Sequence, residues 1–499
     1  MPDDSKVIDP GAAEQNPGTE RLDRKSVTAI QDEIRTAYTA DQRPWVIGYS
    51  GGKDSTATLQ LVWYALAQLP EEKRQKPVYV IASDTLVEAP AIVNRITSTL
   101  EQIDQRARES AMPFRSEKVR PRLEDTFWVN MIGRGYPAPY RRFRWCTDRL
   151  KIQPANRFIE ERVQQYGEVI LVLGSRRSES ATRAQVMNLH RKPGELLSRH
   201  TVLKSAWVYT PIEYFSTQDV WTYLLSVLPP WGGSNRDLVT LYRNASAGEC
   251  PLVVDTTTPS CGNSRFGCWT CTVVERDKSM EAMIDAGEDW MEPLLDLRDF
   301  LAATQEPSGK REFRQVRRRN GRVQIWGEGG NKIIWGPYKF EVRKDILRRL
   351  LSAQKQVRVN GPDAEIRLIS DAELHEIRRL WRSDEGDWQD SLPKIYRETI
   401  GKDLDWIEED AGGSSELERL ILEQASVQHG VPSEVLRELL DLEREVQGLA
   451  RRAGVYDKVD RILAKDWRST EEVLTSIGWR GEEDAEETEE PEGPTDDAS

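Results

Sequence analysis

Trp45-Val-Ile-Gly-Tyr49, Ser50-Gly-Gly-Lys-Asp-Ser55 and Thr56-Ala-Thr-Leu-Gln-Leu-Val-Trp-Tyr-Ala-Leu-Ala-Gln-Leu69 form one continuous stretch. The first part is a short apolar run between Pro44 and Gly51, which suits a buried strand. In the last part, Leu59, Val62, Trp63, Leu66 and Leu69 recur at helical spacing, predicting a helix over Ser55–Leu69. Between them lie two glycines, two serines, a lysine and an aspartate. Glycines let backbone N–H groups approach an oxyanion closely, and a helix N-terminus favours negative charge. Lys53 adds a point charge. Strand, glycine turn and helix therefore read as a phosphate cradle built from Ser50, Gly51, Gly52, Lys53, Asp54 and Ser55. It is not a Walker loop, which needs four residues between its first glycine and a Gly-Lys pair.

Two more apolar runs follow the same logic. Pro77–Ala82 predicts a second buried strand ending in Ser83-Asp84-Thr85, with Glu88 one short loop later. Glu168–Leu173 predicts a third, ending in Gly174-Ser175-Arg176-Arg177, with Arg183 close behind. Acids and arginines at the carboxyl ends of parallel strands sit where open α/β folds bind ligands, and arginines there can clamp an anion bidentately. Helices are predicted between the strands, including Pro90–Arg106, Pro154–Tyr166 and one capped by Ser216. The fold class is α/β, with a doubly wound, mostly parallel sheet.

Five cysteines occur, and Cys250, Cys261, Cys268 and Cys271 fall within 22 residues; Cys146 stands apart in Arg144-Trp-Cys-Thr-Asp-Arg-Leu-Lys151. In a chain without a secretory signal this clustering reads as metal or redox chemistry. Four thiolates around one centre mean zinc or an iron–sulfur cluster. Cys268-x-x-Cys271 is a local clamp, Cys261 is near enough to join it, and the fourth ligand is Cys250 or Cys146. Zinc ribbons usually carry two short Cys-x-x-Cys pairs, whereas this chain has one.

The formal net charge is −13, but Gly481–Ser499 carries ten acids and no base, and without that tail the balance is −3. Lys310, Arg311, Arg314, Arg317, Arg318, Arg319, Arg322 and Lys332 make a basic segment suited to a DNA backbone. The loop Gly133–Pro154 interleaves arginines with Tyr136, Tyr140, Phe143 and Trp145, a pattern for phosphate contact and base stacking or for a solvated loop anchored by aromatics. No run is apolar for long enough to span a membrane, and the default compartment is cytoplasmic. The expected organisation is a disordered start at 1–20, an α/β domain at 21–245, a Cys-rich segment at 246–280, a mainly helical domain at 281–478 and an acidic tail at 479–499.

Ser-Gly-Gly-Lys-Asp-Ser at 50–55, Asp84…Glu88, Gly-Ser-Arg-Arg-x-Glu-Ser-x-x-Arg at 174–183 and Pro-Ile-x-x-Phe-Ser-Thr-x-Asp-Val-Trp at 211–221 occur in an order that resembles the phosphoadenylyl-sulfate reductase-like, ATP pyrophosphatase superfamily. The resemblance covers roughly residues 40–230 and implies an adenine-nucleotide α-hydrolase-like fold. It also implies ATP at residues 50–55, adenine or ribose contacts near Asp84, and anion binding by Gly174, Arg176, Arg177 and Arg183. One departure is that no cysteine follows Cys271, so reduction by a tail thiol is not expected.

The cysteine region resembles DNA phosphorothioation (Dnd) proteins. That resemblance implies a 4Fe-4S cluster on Cys146, Cys261, Cys268 and Cys271, with Cys250 left as a spare thiol able to carry a persulfide. It implies an ATP-dependent sulfurtransferase cleaving ATP to AMP and pyrophosphate, with Lys53, Asp54, Asp84 and Cys250 as catalytic candidates. Mg2+ would be held by Asp54 or Asp84. The implied partners are DNA, a cysteine desulfurase and other Dnd proteins. The alternatives are a sulfonucleotide reductase, a tRNA thiolase, or a zinc-stabilised DNA-binding scaffold.

Overall fold

In the computed structural model, the described residues are 24–179, 195–244, 267–326, 332–387, 389–406, 416–447 and 454–479. The strands are β1 (Trp45–Gly48), β2 (Val78–Ser83), β3 (Phe114–Val119), β4 (Val169–Val172), β5 (Ser198–Arg199), β6 (Ala206–Tyr209), β7 (Ile325–Trp326) and β8 (Lys332–Ile333). The chain folds into two compact units, neither continuous in sequence. Unit 1 takes residues 1–80, 101–116 and 166–238, and unit 2 takes 81–100, 117–165 and 239–499.

Unit 1 is built on a six-stranded sheet of order β3-β2-β1-β4-β6-β5, with β2 and β3 leaving the unit at their carboxyl ends. β1 pairs parallel with β4 (Trp45 opposite Ile170), β4 pairs parallel with β6, and β5 pairs antiparallel at the edge. β1 and β4 are buried at every position. This explains why both read as unbroken apolar runs: a strand covered on both faces has no polar side. The strand order reverses between β1 and β4, which is where such sheets open a crevice for ligands. Helix α1 (Arg24–Thr39) and helix α2 (Lys53–Ala67) pack together, and α2 also packs on the helix Thr217–Ser226. As expected, Ser216 caps that last helix, in a reciprocal box with Asp219.

Unit 2 is mainly helical. Phe340–Asn360 packs against Glu292–Ala303, Ser391–Ile400 and the segment Val129–Gly133. Indole and guanidinium donors close this core onto backbone carbonyls. Trp128 Nε1 donates to Leu368 O at 2.7 Å, Trp381 Nε1 to Ile132 O at 2.8 Å, and Arg343 to Gly133 O at 2.8 Å. A β-carbon on Gly133 would stand 2.8 Å from Leu380 Cδ1. Its other helices include Lys278–Asp285, Asp371–Asp384, Glu416–His429, Ser433–Val446 and Thr470–Ser476. Among the described residues, no helix is long and apolar enough to cross a membrane.

Candidate nucleotide loop and thiol clamp

The loop after β1 is held by its own side chains. Gly51 has φ +73°, in the left-handed region that a glycine adopts without strain. Ser55 Oγ accepts from Ser50 N at 3.2 Å, lies 3.1 Å from Ser50 Oγ, and donates to Gly52 O at 3.1 Å. Gly52 caps α2 in an extended conformation with no side-chain bond to the first-turn amides. Helix N-termini leave such N–H groups without an intrahelical partner. The result is a pre-shaped turn of donors at the point where the strand order reverses.

A buried charge network lies beneath it. Lys53 Nζ is 2.7 Å from Asp54 Oδ2, and Arg176 Nε is 2.7 Å from Asp54 Oδ1. Lys53, Asp54 and Arg176 are 5%, 3% and 0% exposed, so both pairs are shielded from solvent. Arg176 also donates to Ser178 Oγ at 2.8 Å and Thr217 Oγ1 at 3.3 Å. Gly174 lets the end of β4 lie directly on the start of α2: a β-carbon there would stand 2.9 Å from Asp54 C and O and 3.0 Å from Ser55 N.

Three sequence-based expectations change here. Arg176 does not face outward as an anion clamp; a carboxylate within reach draws it into the interior. Arg177 pairs with Glu213 and lies over the Tyr214 ring at 5.3 Å. Asp54 is no ready Mg2+ ligand, because each of its oxygens already meets a cation. Arg183, Cys250 and Cys261 lie outside the described residues, as do the expected disordered start at 1–20 and all but Trp479 of the acidic tail.

Asp84, Cys146, Cys268 and Cys271 belong to unit 2. Asp84 Oδ1 accepts from Leu86 N at 3.2 Å and Oδ2 from Arg120 Nε at 2.8 Å, and Leu86 sits at φ +65°, a strained value for a branched side chain. Glu88 forms an isolated antiparallel bridge with Cys268, and Trp269 N donates to Val87 O at 3.0 Å. This pins the thiol segment along the loop after β2. Cys268 Sγ lies 3.3 Å from Thr85 Oγ1. Cys271 N donates to Cys268 O at 3.0 Å, closing the turn of the two-thiol clamp. Arg298, 1% exposed, holds the next stretch by donating to the carbonyls of Cys271, Val274 and Glu275.

Cys268 and Glu88 are half-buried. Burial pushes the Cys268 thiol up to about 12, with Lys151 acting against it, and pushes the Glu88 carboxyl up to about 7, again against Lys151. A cationic centre at the thiols would reverse that cost for Cys268. Cys146 is a partly exposed thiol in the short helix Trp145–Thr147. Among the described residues, no three His, Cys, Asp or Glu side chains converge on one metal position. They supply a two-thiol clamp and not a complete ligand set. Thr85, Glu88 and Lys151 as neighbours of Cys268 were not found from sequence. The only signal was Glu88 close behind Asp84, since bridges formed across more than a hundred residues leave no periodicity.

The aromatic loop turns inward. Trp145 is buried, stacks on Phe127 at 5.4 Å and donates to Pro137 O, while Arg149 pairs with Asp125 at 2.9 Å. Trp145 thus anchors the loop, while Tyr136, Tyr140 and Phe143 are half-buried.

Residues 44–274 match the phosphoadenosine phosphosulfate reductase domain. The mostly parallel sheet agrees with that match. Residues 417–464 match a second model, a small protein found in certain Dnd DNA modification systems. An uncharacterized protein of Methanocaldococcus jannaschii is 28% identical over 242 residues, which are 48% of this chain and 39% of that protein. The match thus spans about two fifths of that curated relative's length. The U34-tRNA thiolase NcsA from Methanococcus maripaludis, solved with its 4Fe-4S cluster, aligns over 62% of this chain and 86% of its own, at 10% identity and a TM-score of 0.27.

Proposed function

We propose that this chain is the ATP-using sulfurtransferase of a DNA phosphorothioation system, a DndC-type component acting beside a cysteine desulfurase and other Dnd proteins. The observation that carries this reading is the union, in one chain, of a reductase-like segment at 44–274 with a Dnd-associated segment at 417–464. The second segment favours DNA over tRNA as the acceptor.

A phosphodiester oxygen is a poor leaving group. In the proposed reaction a non-bridging oxygen of the DNA phosphate attacks the α-phosphorus of ATP. The bond from that phosphorus to the bridging oxygen breaks, and pyrophosphate departs. The outer sulfur of a Cys250 persulfide then attacks the DNA phosphorus and displaces AMP, which takes the oxygen with it. A reducing thiol cleaves the resulting Cys–S–S–P link to leave the phosphorothioate, its own disulfide and free Cys250. The Gly51 and Gly52 amides and the first turn of α2 are suited to the pyrophosphate charge. Lys53, within the loop itself and held by Asp54, is the proposed cation for the phosphates. Asp84, paired with the exposed Arg120, is the proposed Mg2+ ligand, since both oxygens of Asp54 meet buried cations. The donor set of the thiol clamp suits iron or zinc, and Cys146 and Cys261 are the proposed completing ligands with Cys268 and Cys271. Cys250 is the proposed persulfide carrier.

The test is release of AMP and pyrophosphate from ATP by purified protein with DNA and a sulfur source, together with mass spectrometry of nuclease-digested DNA. Phosphorothioate dinucleotides that vanish with S50A or C250A are the expected result. Absence of α–β cleavage with all components present would overturn the reading. A brown, iron-containing protein supports the cluster, and a colourless one with stoichiometric zinc replaces it.

A further inference from the structure

The basic segment at 310–332 divides into two kinds of arginine. Arg314 is buried and donates to the carbonyls of Gly336 and Trp335 at 2.8 and 2.5 Å. Arg311 pairs with Glu471 and lies over Trp479, and Lys332 lies over Trp326. These side chains are structural. Arg317, Arg318, Arg319 and Arg322 instead line a groove of about 1460 Å³ within unit 2.

The groove is a built feature. Arg318 N donates to Arg322 O at 2.8 Å and Gly321 N to Arg318 O at 2.9 Å, closing a tight turn with Gly321 at φ +77°. That turn is docked on the segment after the helix Val455–Leu463. Asp466 N donates to Gly321 O at 2.8 Å, and Arg317 lies over the Trp467 ring at 5.4 Å. A β-carbon on Gly321 would meet the Lys465 side chain at 2.4 Å. Another wall is formed by Arg437, Lys458 and Arg461, on the helices Ser433–Val446 and Val455–Leu463. Both helices lie in the segment that matches the Dnd small protein.

The charge is one-sided. Eleven lysines and arginines line the groove against six acids, in a chain whose net charge is −13. At one end Arg149 and Arg319 lie on the Tyr136 ring, at 5.3 and 4.9 Å, and burial, followed by Arg319 and Arg149, disfavours the charge of Arg134. Part of this charge is met within the protein, Arg149 by Asp125 and Lys465 by Glu438. The two aromatic rings of the groove are already covered: Trp467 by Arg317 and Lys465, Phe340 by Arg343 and Lys344. Binders of single strands present open rings for stacking, whereas each ring here is faced by two cations.

We propose that this groove docks the sugar–phosphate backbone of duplex DNA, with the Arg317–Arg322 turn and the Dnd-like helices as its two walls. The inference rests on the DNA reading above and assigns the contact surface for that substrate. Phosphate contacts position a duplex without reading its sequence, which suits an enzyme whose target atom is in the backbone.

The test uses the full chain and a fluorescein-labelled duplex of arbitrary sequence, titrated by anisotropy over a series of salt concentrations. Log affinity should fall linearly with log salt. Each phosphate contact removed should reduce the slope by about 0.9. R319A/R322A, and independently R322A/R461A, should each weaken binding and lower the slope by roughly two such steps. R397A, which removes an exposed arginine outside the groove, should change neither. R319K/R322K should recover most of the slope, which separates charge from fold. Unchanged affinity and slope in both double variants overturns the proposal, as does binding of RNA or single strands but not the duplex. ATP cleavage is measured on the same samples. A groove-dependent duplex affinity without α–β cleavage leaves this inference standing and removes the catalytic reading, and the converse result does the opposite.

Discussion

Replacing Gly174 by alanine tests the geometry of the nucleotide loop with a single methyl group. The added carbon would lie 2.9 Å from the carbonyl of Asp54 and 3.0 Å from Ser55 N. Those atoms are backbone in the first turn of α2 and cannot swing away as a side chain could. Either the end of β4 or the helix start must shift. Overpacking of this kind costs about 1–3 kcal/mol, and a shift of the helix start also moves the amides that would meet a phosphate. The melting temperature should fall by roughly 2–4 °C per kcal/mol for a domain of this size class. If about half of the cost falls on the bound loop, affinity for a non-hydrolysable ATP analogue should fall roughly 2–10-fold. The matched control is Gly167→Ala. It has φ +83° and nothing within 4 Å of the new carbon, so its left-handed strain of about 1–2 kcal/mol is partly offset by a stiffer unfolded chain. Calorimetric melting and analogue titration are run on both. A G174A protein that melts and binds as the parent does would refute the claim that β4 and α2 are in tight contact there.

Three other perturbations follow from the same structure. Arg176→Met should destabilise unit 1 by about 3–5 kcal/mol, because Asp54 keeps a buried charge with one cation fewer; adding Asp54→Asn should cost less than the sum of the single changes, a coupling read from a denaturation double-mutant cycle. Arg298→Ala should leave the carbonyls of Cys271, Val274 and Glu275 without their donor, at about 1–3 kcal/mol per group, and should raise the rate at which Cys268 and Cys271 react with a disulfide reagent, whereas equal rates would show that the clamp does not depend on it. His200 accepts from Val202 N and Leu203 N through Nδ1, and burial lowers its pKa. The unfolded chain then binds more protons, so its contribution is complete above about pH 6.5 and lost as pH falls through that value toward the lower folded one; His200→Asn should flatten this part of the melting-temperature profile.

The sheet was legible because its central strands are covered on both faces. Trp45–Gly48 and Val169–Val172 appear in the sequence as unbroken apolar runs, and the glycine turn between β1 and α2 is marked by its residue types alone. Helix positions followed from period and capping, as with Ser216 and Asp219. Ser391–Ile400 and Val455–Leu463 were missed. Each is short, and its apolar face gains meaning only from the helix it packs on. The candidate site was legible by residue and not by orientation. A sequence shows an arginine at a strand end, but not that Asp54 lies within 2.7 Å to turn it inward. The division into two interleaved units was not visible either, since nothing local marks residues 81–100 and 117–165 as partners of a distant helical region.

The hydrogen bonds from Trp128, Trp381 and Arg343 have a consequence for how such chains can be recombined. The reductase-like match ends at 274, yet residues 128–138 share their interior with residues far beyond it. Tyr338 N donates to Gly135 O at 2.6 Å, and Ala138 N donates to the Tyr338 hydroxyl at 2.9 Å. The boundary of ancestry is therefore not a boundary of folding. A chimaera joined at 274 would inherit a Trp128 and a Gly133 shaped to a helical partner it no longer carries. Exchange between relatives would succeed only where donor and recipient segments travel as a matched set.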